Sequence, residues 1–263
     1  MNRDFVYNYL AKRNSTLPPP EQEILREELF QLKKKSISKL PELIVQAKKS
    51  LTDSGVKVFV VKDYLEAKRK ILELLGSEDL AVKSKSNTLD KLGLENELAE
   101  RLSETDLGAY IVKQIGSDSD HPVLPAIELK AKEIAEKFSK KFGKNYPSNP
   151  KELTDVLKLE IKTNIGRADV GLTGANAITA DGQIMLLENE GNISLITRLP
   201  KKHIAVCGVE KIVSNAEEAI KVARASAVWG TGQSFPTYVS FIAGPSKTAD
   251  IENELVCGVQ GAS

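Results

Sequence analysis

Residues that mark specialised protein classes are scarce in this chain. Cys207 and Cys257 are its only cysteines, 50 residues apart, and His121 and His203 are its only histidines. No spacing among them matches a zinc or iron–sulfur site, so a thiolate-held metal is not expected here. Each cysteine lies in a short apolar run, HIAVCGV or ELVCGV, and reads as a core thiol. Long hydrophobic stretches are also missing: none approaches the roughly 18 uninterrupted apolar residues of a membrane span. The opening MNRDFVYNYLAKRNS has no apolar centre of the kind a secretory signal needs. A cytoplasmic location is the expectation. Charge of one sign is lacking too, since 37 basic and 36 acidic residues leave a formal net charge of +1. Such a balance gives no long-range attraction for nucleic acid or an anionic bilayer, so neither is expected as a partner and any anion must be caught locally.

What remains is an ordinary globular composition, 41% hydrophobic and 28% charged, over 263 residues. That length accommodates one large α/β unit or two small ones, and we favour one. Residues 21–53 carry apolar positions at helical spacing (Ile24, Leu25, Leu29, Leu32, then Leu40, Leu43, Ile44, Ala47, Leu51), with Pro41 suited to a first helical turn. The reading is a helical N-terminal extension over 1–54 followed by an α/β domain over 55–263. VKVFVV (56–61) is a β-branched run expected to form a buried strand, and DYLEAKRKILELLG a helix closed by Gly76. DLAVKS then reads as strand, LDKLGLENELAERLSE as helix, and ETDLGAYIVKQ as strand. Strand and helix alternating at this spacing predict an open, mostly parallel sheet with flanking helices and right-handed crossovers.

Beyond His121-Pro122, a helix is expected to end at Gly143, NYPSNP is a linker, and a second helix runs from Glu152 to about Asn164. ADVGLTGANAITADGQIMLLENEGN reads as strand, glycine-rich turn, strand, hairpin turn at Asp181-Gly182, and strand. HIAVCGV, a helix at AEEAIKVARASAVWG, and strands at YVSFIAGP and ELVCGV complete the pattern.

Four segments are too polar or too glycine-rich for plain core: KSKS (83–86), GLTGAN (171–176), ENEGN (188–192) and WGTGQSFPT (229–237). In an open parallel sheet the loops leaving the carboxyl ends of strands gather along one edge, where ligands bind. KSKS offers two cations, two hydroxyls and backbone N–H groups ahead of a helix, which suits either an anion cradle or a solvated loop with a cap. GLTGAN permits close backbone approach but matches neither phosphate-loop pattern. Glu188 and Glu190 lie two apart, hence on one face if the strand continues, and serve either as paired carboxylates for acid–base or nucleophilic work or as an acidic turn. His203 and His121 read as packing or capping residues.

In combination these stretches resemble a known family. KSKSNTLDKLGLENEL, ETDLGAYIVKQIG, HPVLPAIELKAKEIAEKFSKKFG, ADVGLTGANAITADGQIMLLENEGNISLITRLPKKHIAVCGVEKIV and TGQSFPTYVSFIAGP follow one another as in proteins of the lactate-utilisation (LUD) family. The resemblance runs from about residue 20 to the end. It implies a fold similar to the sugar-phosphate isomerase and CoA-transferase superfamily and a setting in the oxidation of L-lactate to pyruvate. It also carries over site candidates: Lys83, Ser84, Lys85 and Ser86; Gly171, Thr173, Gly174, Ala175 and Asn176; Glu188, Glu190, Gly191 and Asn192; and Thr231, Gly232 and Gln233. The family's iron–sulfur members continue into a ferredoxin-like segment with repeated CxxC spacing, whereas this sequence stops at VCGVQGAS. No cluster is therefore expected in this chain; iron–sulfur clusters are expected in a partner subunit. Asp181 stands where the family usually has Glu.

Three functions follow as expectations. One is a module that binds a small carboxylate or phosphorylated ligand beside separate iron–sulfur and oxidase subunits, with self-association open. Another is an enzyme of CoA-transferase or isomerase type using Glu188 or Glu190. The third is a scaffold without a site.

Overall fold

The computed structural model describes residues 8, 10–11, 14–116, 129–259 and 261–262. His121 and the start of the helix expected after it lie outside these residues. The strands form two four-stranded sheets and a small ribbon, with helices on the faces of the sheets.

In the first sheet β1 (Ala81–Lys83), β2 (Leu102–Glu104), β3 (Val170–Gly174) and β6 (Lys202–Val206) lie in the order β2-β1-β3-β6, and every pairing is parallel. The expected α/β class with a mostly parallel sheet is therefore what forms. Burial on both faces explains why AVK and VGLTG are nearly continuous buried runs rather than alternating ones. One face carries Ala81, Leu102, Val170 and Leu172 against Ile71, Leu89, Leu92, Leu94 and Leu98. The opposite face packs Val82 against Tyr110, Phe138, Leu157, Ile161, Ile165 and Ile196.

Connections supply the covering layers. The segment α1 (Pro19–Ser38), α2 (Leu40–Asp53) and α3 (Tyr64–Leu74) precedes β1. Between β1 and β2 lie the short helices α4 (Asn87–Asp90) and α5 (Glu95–Leu98), where one helix was expected. The break falls at Gly93, whose φ of 58° is outside helical space. Between β2 and β3 come α6 (Leu107–Ile115), α7 (Ala131–Phe142) and α8 (Pro150–Arg167). The strand expected over 104–114 is thus corrected to a helix from Leu107. Asp106 accepts the Ala109 N–H as a cap, Gly116 closes the end at φ 61°, and Leu107, Tyr110, Ile111 and Ile115 share one stripe on the core. Helical period outweighs β-branched content here.

The second sheet has the order β7-β4-β5-β8, from β4 (Ala177–Thr179), β5 (Ile184–Glu188), β7 (Ile212–Val213) and β8 (Tyr238–Ile242). β5 is antiparallel to both its neighbours. The expected hairpin turns at Gly182, with φ 92°. There Asp181 accepts from the Thr179 hydroxyl, so its carboxylate serves the turn. Helices α1, α2 and α10 (Ala216–Ser226) pack on this sheet through Leu32, Leu43, Ala47, Ala219, Val222 and Ala223. β9 (Lys247–Thr248) and β10 (Val256–Cys257) form the ribbon.

Three further expectations change. VKVFVV is not a strand: Val56 and Val58 pack on the core, but Phe59 and Val60 are exposed and the run pairs with no described strand. The helix α3 ends at Leu74, with Leu75 extended, so Gly76 is not its left-handed cap. Cys257 is exposed on the ribbon rather than in the core. Cys207 is partly buried, and burial pushes its thiol up to about 12, so it stays protonated and unreactive. No helix among the described residues is long and apolar enough to cross a membrane.

Candidate functional site

The winding of the first sheet reverses between β1 and β3: from β1 the chain crosses outward to β2, and it later returns on the other side through β3 to β6. Loops that diverge at such a point leave a crevice beyond the carboxyl ends of the strands. Those loops here are KSKS after β1 and GAN after β3. They touch where Gly174 meets Ser86; a Cβ at Gly174 would lie 1.9 Å from the Ser86 hydroxyl, so only glycine fits. Ser86 itself caps α4 through the Leu89 N–H.

The end of β2 and the ENEGN turn close the crevice. Asn192 donates to the Thr105 hydroxyl at 3.2 Å, and that hydroxyl donates to the Lys83 carbonyl at 3.0 Å. Glu190 accepts the Leu107 N–H at the start of α6, beside the capping Asp106. Gly191 supplies the left-handed turn, φ 83°, that begins α9 (Asn192–Ile196). Lys85 is half-buried amid Asp106, Asp90, Glu190 and Glu104. Burial depresses its ammonium pKa, with the surrounding carboxylates opposing that shift. Burial and the nearby Asp106 raise the carboxyl of Glu190, although its surface remains largely open.

Lys83 behaves differently from the anion-binding cation expected of it. Its side chain is buried and pairs with Asp90 at 2.5 Å, Glu104 at 2.9 Å and Glu95 at 3.1 Å. Burial works against its charge, but Glu104 and Asp90 outweigh that and raise its pKa. The same burial raises Glu104, one of whose carboxylate oxygens has no hydrogen-bond partner. Lys83 is thus a structural counterion beneath α4 and α5. Ser84 is likewise buried, its N–H bonded to the Leu172 carbonyl.

Other candidates have local work. Gly171 gives room to the Ile196 carbonyl, which a Cβ would approach to 1.9 Å. Thr173 is buried and hydrogen-bonds the His203 Nε2 at 2.7 Å, which agrees with the packing role expected of His203. Burial holds that imidazole neutral, down at about 4. Ala175 is buried with its N–H on the Val206 carbonyl. Asn176 accepts the Leu187 N–H at 3.0 Å and so stitches the second sheet. Glu188 points inward, accepting the Ser194 N–H at 2.9 Å and the Ser194 hydroxyl. Although two apart, Glu188 and Glu190 do not share a face, because the strand stops at Glu188.

Thr231, Gly232 and Gln233 close a π-helical turn over Ala227–Thr231. The Thr231 hydroxyl donates to the Gln233 Oε1 at 2.6 Å, and Gly232 is left-handed. Beyond them, Thr237 donates to Asn189, which ties this loop to the ENEGN turn. Beyond the strand ends the structure therefore brings together Lys85, Ser86, Gly174, Glu190, Gly191 and Asn192 from the expected set. Sequence reading missed Glu104, Thr105 and Asp106; the usable signal was a Thr-Asp pair directly before a helical stripe, a helix-start signature. Among the described residues no group of three His, Cys, Asp or Glu is placed to hold a metal.

The chain is similar to several known proteins. It is 33% identical over 214 residues to lactate utilization protein B of Shouchella clausii, covering 79% of this chain and 45% of that protein. It is 28% identical over 233 residues to the uncharacterized electron transport protein YkgF of Escherichia coli, covering 86% and 49%. The chain spans about half the length of these curated relatives. Among solved structures, a DUF162 family protein from Deinococcus radiodurans aligns with a TM-score of 0.45 at 14% identity, covering 78% of this chain and 88% of that one. The LUD domain profile matches residues 44–263, and the chain belongs to the LUD domain family.

Proposed function

We propose that the crevice between β1 and β3 binds a small monoanionic hydroxy-carboxylate and that the chain acts in lactate utilisation in the cytoplasm. The observation that carries this is the half-buried Lys85 at the winding reversal, with Glu190 and Asp106 beside it. A partly desolvated ammonium attracts a carboxylate more strongly than one in open water. The carboxylates around it oppose a dianionic phosphate, while Glu190 is placed to accept a hydrogen bond from the hydroxyl of the same ligand, as a glutamine oxygen there could. Supporting the setting, relatives covering most of this chain carry the name lactate utilization protein B. The redox chemistry of lactate oxidation is assigned to a separate partner subunit, which would be the one to carry iron–sulfur clusters.

Calorimetric titration of the purified chain and of Lys85→Ala with L-lactate, pyruvate and inorganic phosphate tests the reading. Lactate is expected to bind the native chain more tightly than phosphate, and Lys85→Ala to weaken it about tenfold or more. Equal binding by Lys85→Ala, or a preference for phosphate, overturns it. A second reading, an enzyme of CoA-transferase or isomerase type, is favoured by one observation, the raised carboxyl of Glu190. Glu188 does not serve that reading, since Ser194 occupies its carboxylate.

A further inference from the structure

The run VKVFVV has the composition of a strand and no sheet. Among the described residues, positions 57–61 take part in no backbone–backbone hydrogen bond. The run is nevertheless anchored: the Val56 N–H bonds the Leu51 carbonyl, the Lys62 N–H bonds Glu66, and Val56 and Val58 pack on the core beneath. Its outer surface is apolar, with Phe59 47%, Val60 54%, Tyr64 48% and Leu65 64% exposed. A fixed β-branched segment whose backbone groups have no backbone partner among the described residues is a template for strand addition.

We propose that this segment is the symmetric interface of a homodimer, pairing antiparallel with the same segment of a second copy about Val60. The sequence is self-complementary in that register. Lys57 falls opposite Asp63 at both ends, where Asp63 also caps α3 by accepting the Glu66 N–H, and Phe59 falls opposite Val61 on the same side of the ribbon. Centring the pair on Phe59 instead would set Lys57 against Val61 and Asp63 against Gly55, leaving both charges unmatched. A two-fold contact requires one patch to complement itself, which the alternating Lys-Phe-Val-Asp set does. Tyr64 and Leu65 widen the patch toward the roughly 1,200 Å² that a specific interface needs.

Sedimentation equilibrium of the full chain over a concentration series tests this, with circular dichroism confirming that each variant is folded. The native chain is expected to dimerise, and Lys57→Asp, which sets like charges together at both ends, to weaken the dimer about tenfold or more. Oxidative cross-linking tests the register. In a Cys257→Ser background Val60→Cys is expected to form a disulfide dimer, because directly opposed residues lie about 4.5–5.5 Å apart, within disulfide reach. Val58→Cys, opposite Lys62, is expected to form none. A chain that stays monomeric at every concentration, or a dimer indifferent to Lys57→Asp with Val60→Cys uncross-linked, overturns the proposal.

Discussion

Lys83 and Lys85 are two residues apart in the same polar tetrapeptide, yet they occupy opposite kinds of environment. Lys83 ends a central parallel strand and points under α4 and α5, where Asp90, Glu95 and Glu104 surround it. Lys85 has left the strand and borders the crevice with Glu190 and Asp106. One ammonium is buried among three carboxylates and holds layers together, and the other is only half-buried at the strand end. The pair Glu188 and Glu190 repeats the contrast: the first carboxylate fastens α9 through Ser194, and the second faces the crevice. In both pairs, the residue still inside the strand is buried in the fold, and the residue just beyond it is more exposed.

Breaking the buried half should have the largest effect. Lys83→Ala leaves Glu104 buried without its counterion, and truncation of such a pair costs about 3–5 kcal/mol. Urea denaturation should show this loss, and Lys83→Met combined with Glu104→Leu should recover most of it, because no buried charge then remains uncompensated. If Lys83→Ala keeps native stability, the contrast between the two lysines fails.

The next effect concerns pH. Burial depresses His203 from 6.5 to about 4, so the unfolded chain binds a proton that the folded chain refuses. The stabilisation is complete above pH 6.5 and is lost as pH falls toward 4, by on the order of 3 kcal/mol. Urea midpoints measured across that window should fall with pH in the native chain and much less in His203→Gln. A smaller effect is expected for Glu188→Gln, which weakens a charge-assisted acceptor for the Ser194 N–H and hydroxyl and should cost about 1–2 kcal/mol. Faster amide exchange at Ser194 would accompany it.

The smallest stability effect sharpens the comparison from the open side. Glu190→Gln should change stability by no more than about 0.5 kcal/mol. Carboxylate affinity should stay equal or rise, since a negative charge near Lys85 is removed. Calorimetry reads both, and a collapse of turnover at unchanged affinity would instead favour the enzyme reading of Glu190.

Local chemistry made part of this molecule legible in advance. The stripe on α7, the Asp181-Gly182 turn and the alternation from β3 to β5 follow from period and turn residues alone. The segment 104–114 shows where composition misleads: its β-branched residues suggested a strand, while Asp106, Gly116 and the Leu107–Ile115 stripe made a helix. VKVFVV shows the converse, a strand-like run that finds no backbone partner among the described residues.

By itself the sequence determined the α/β class, the family, and the four polar segments among which a site is to be sought. It did so because hydrophobic period and turn chemistry act over a few residues and are written locally. Only the tertiary structure decided which lysine and which glutamate face the crevice. That choice depends on where a strand stops and on which distant carboxylates, Asp90, Glu95, Glu104 and Asp106, the crossovers bring alongside it. Charges far apart in the chain become neighbours through packing, and their burial then fixes which of them hold the fold and which stay partly exposed.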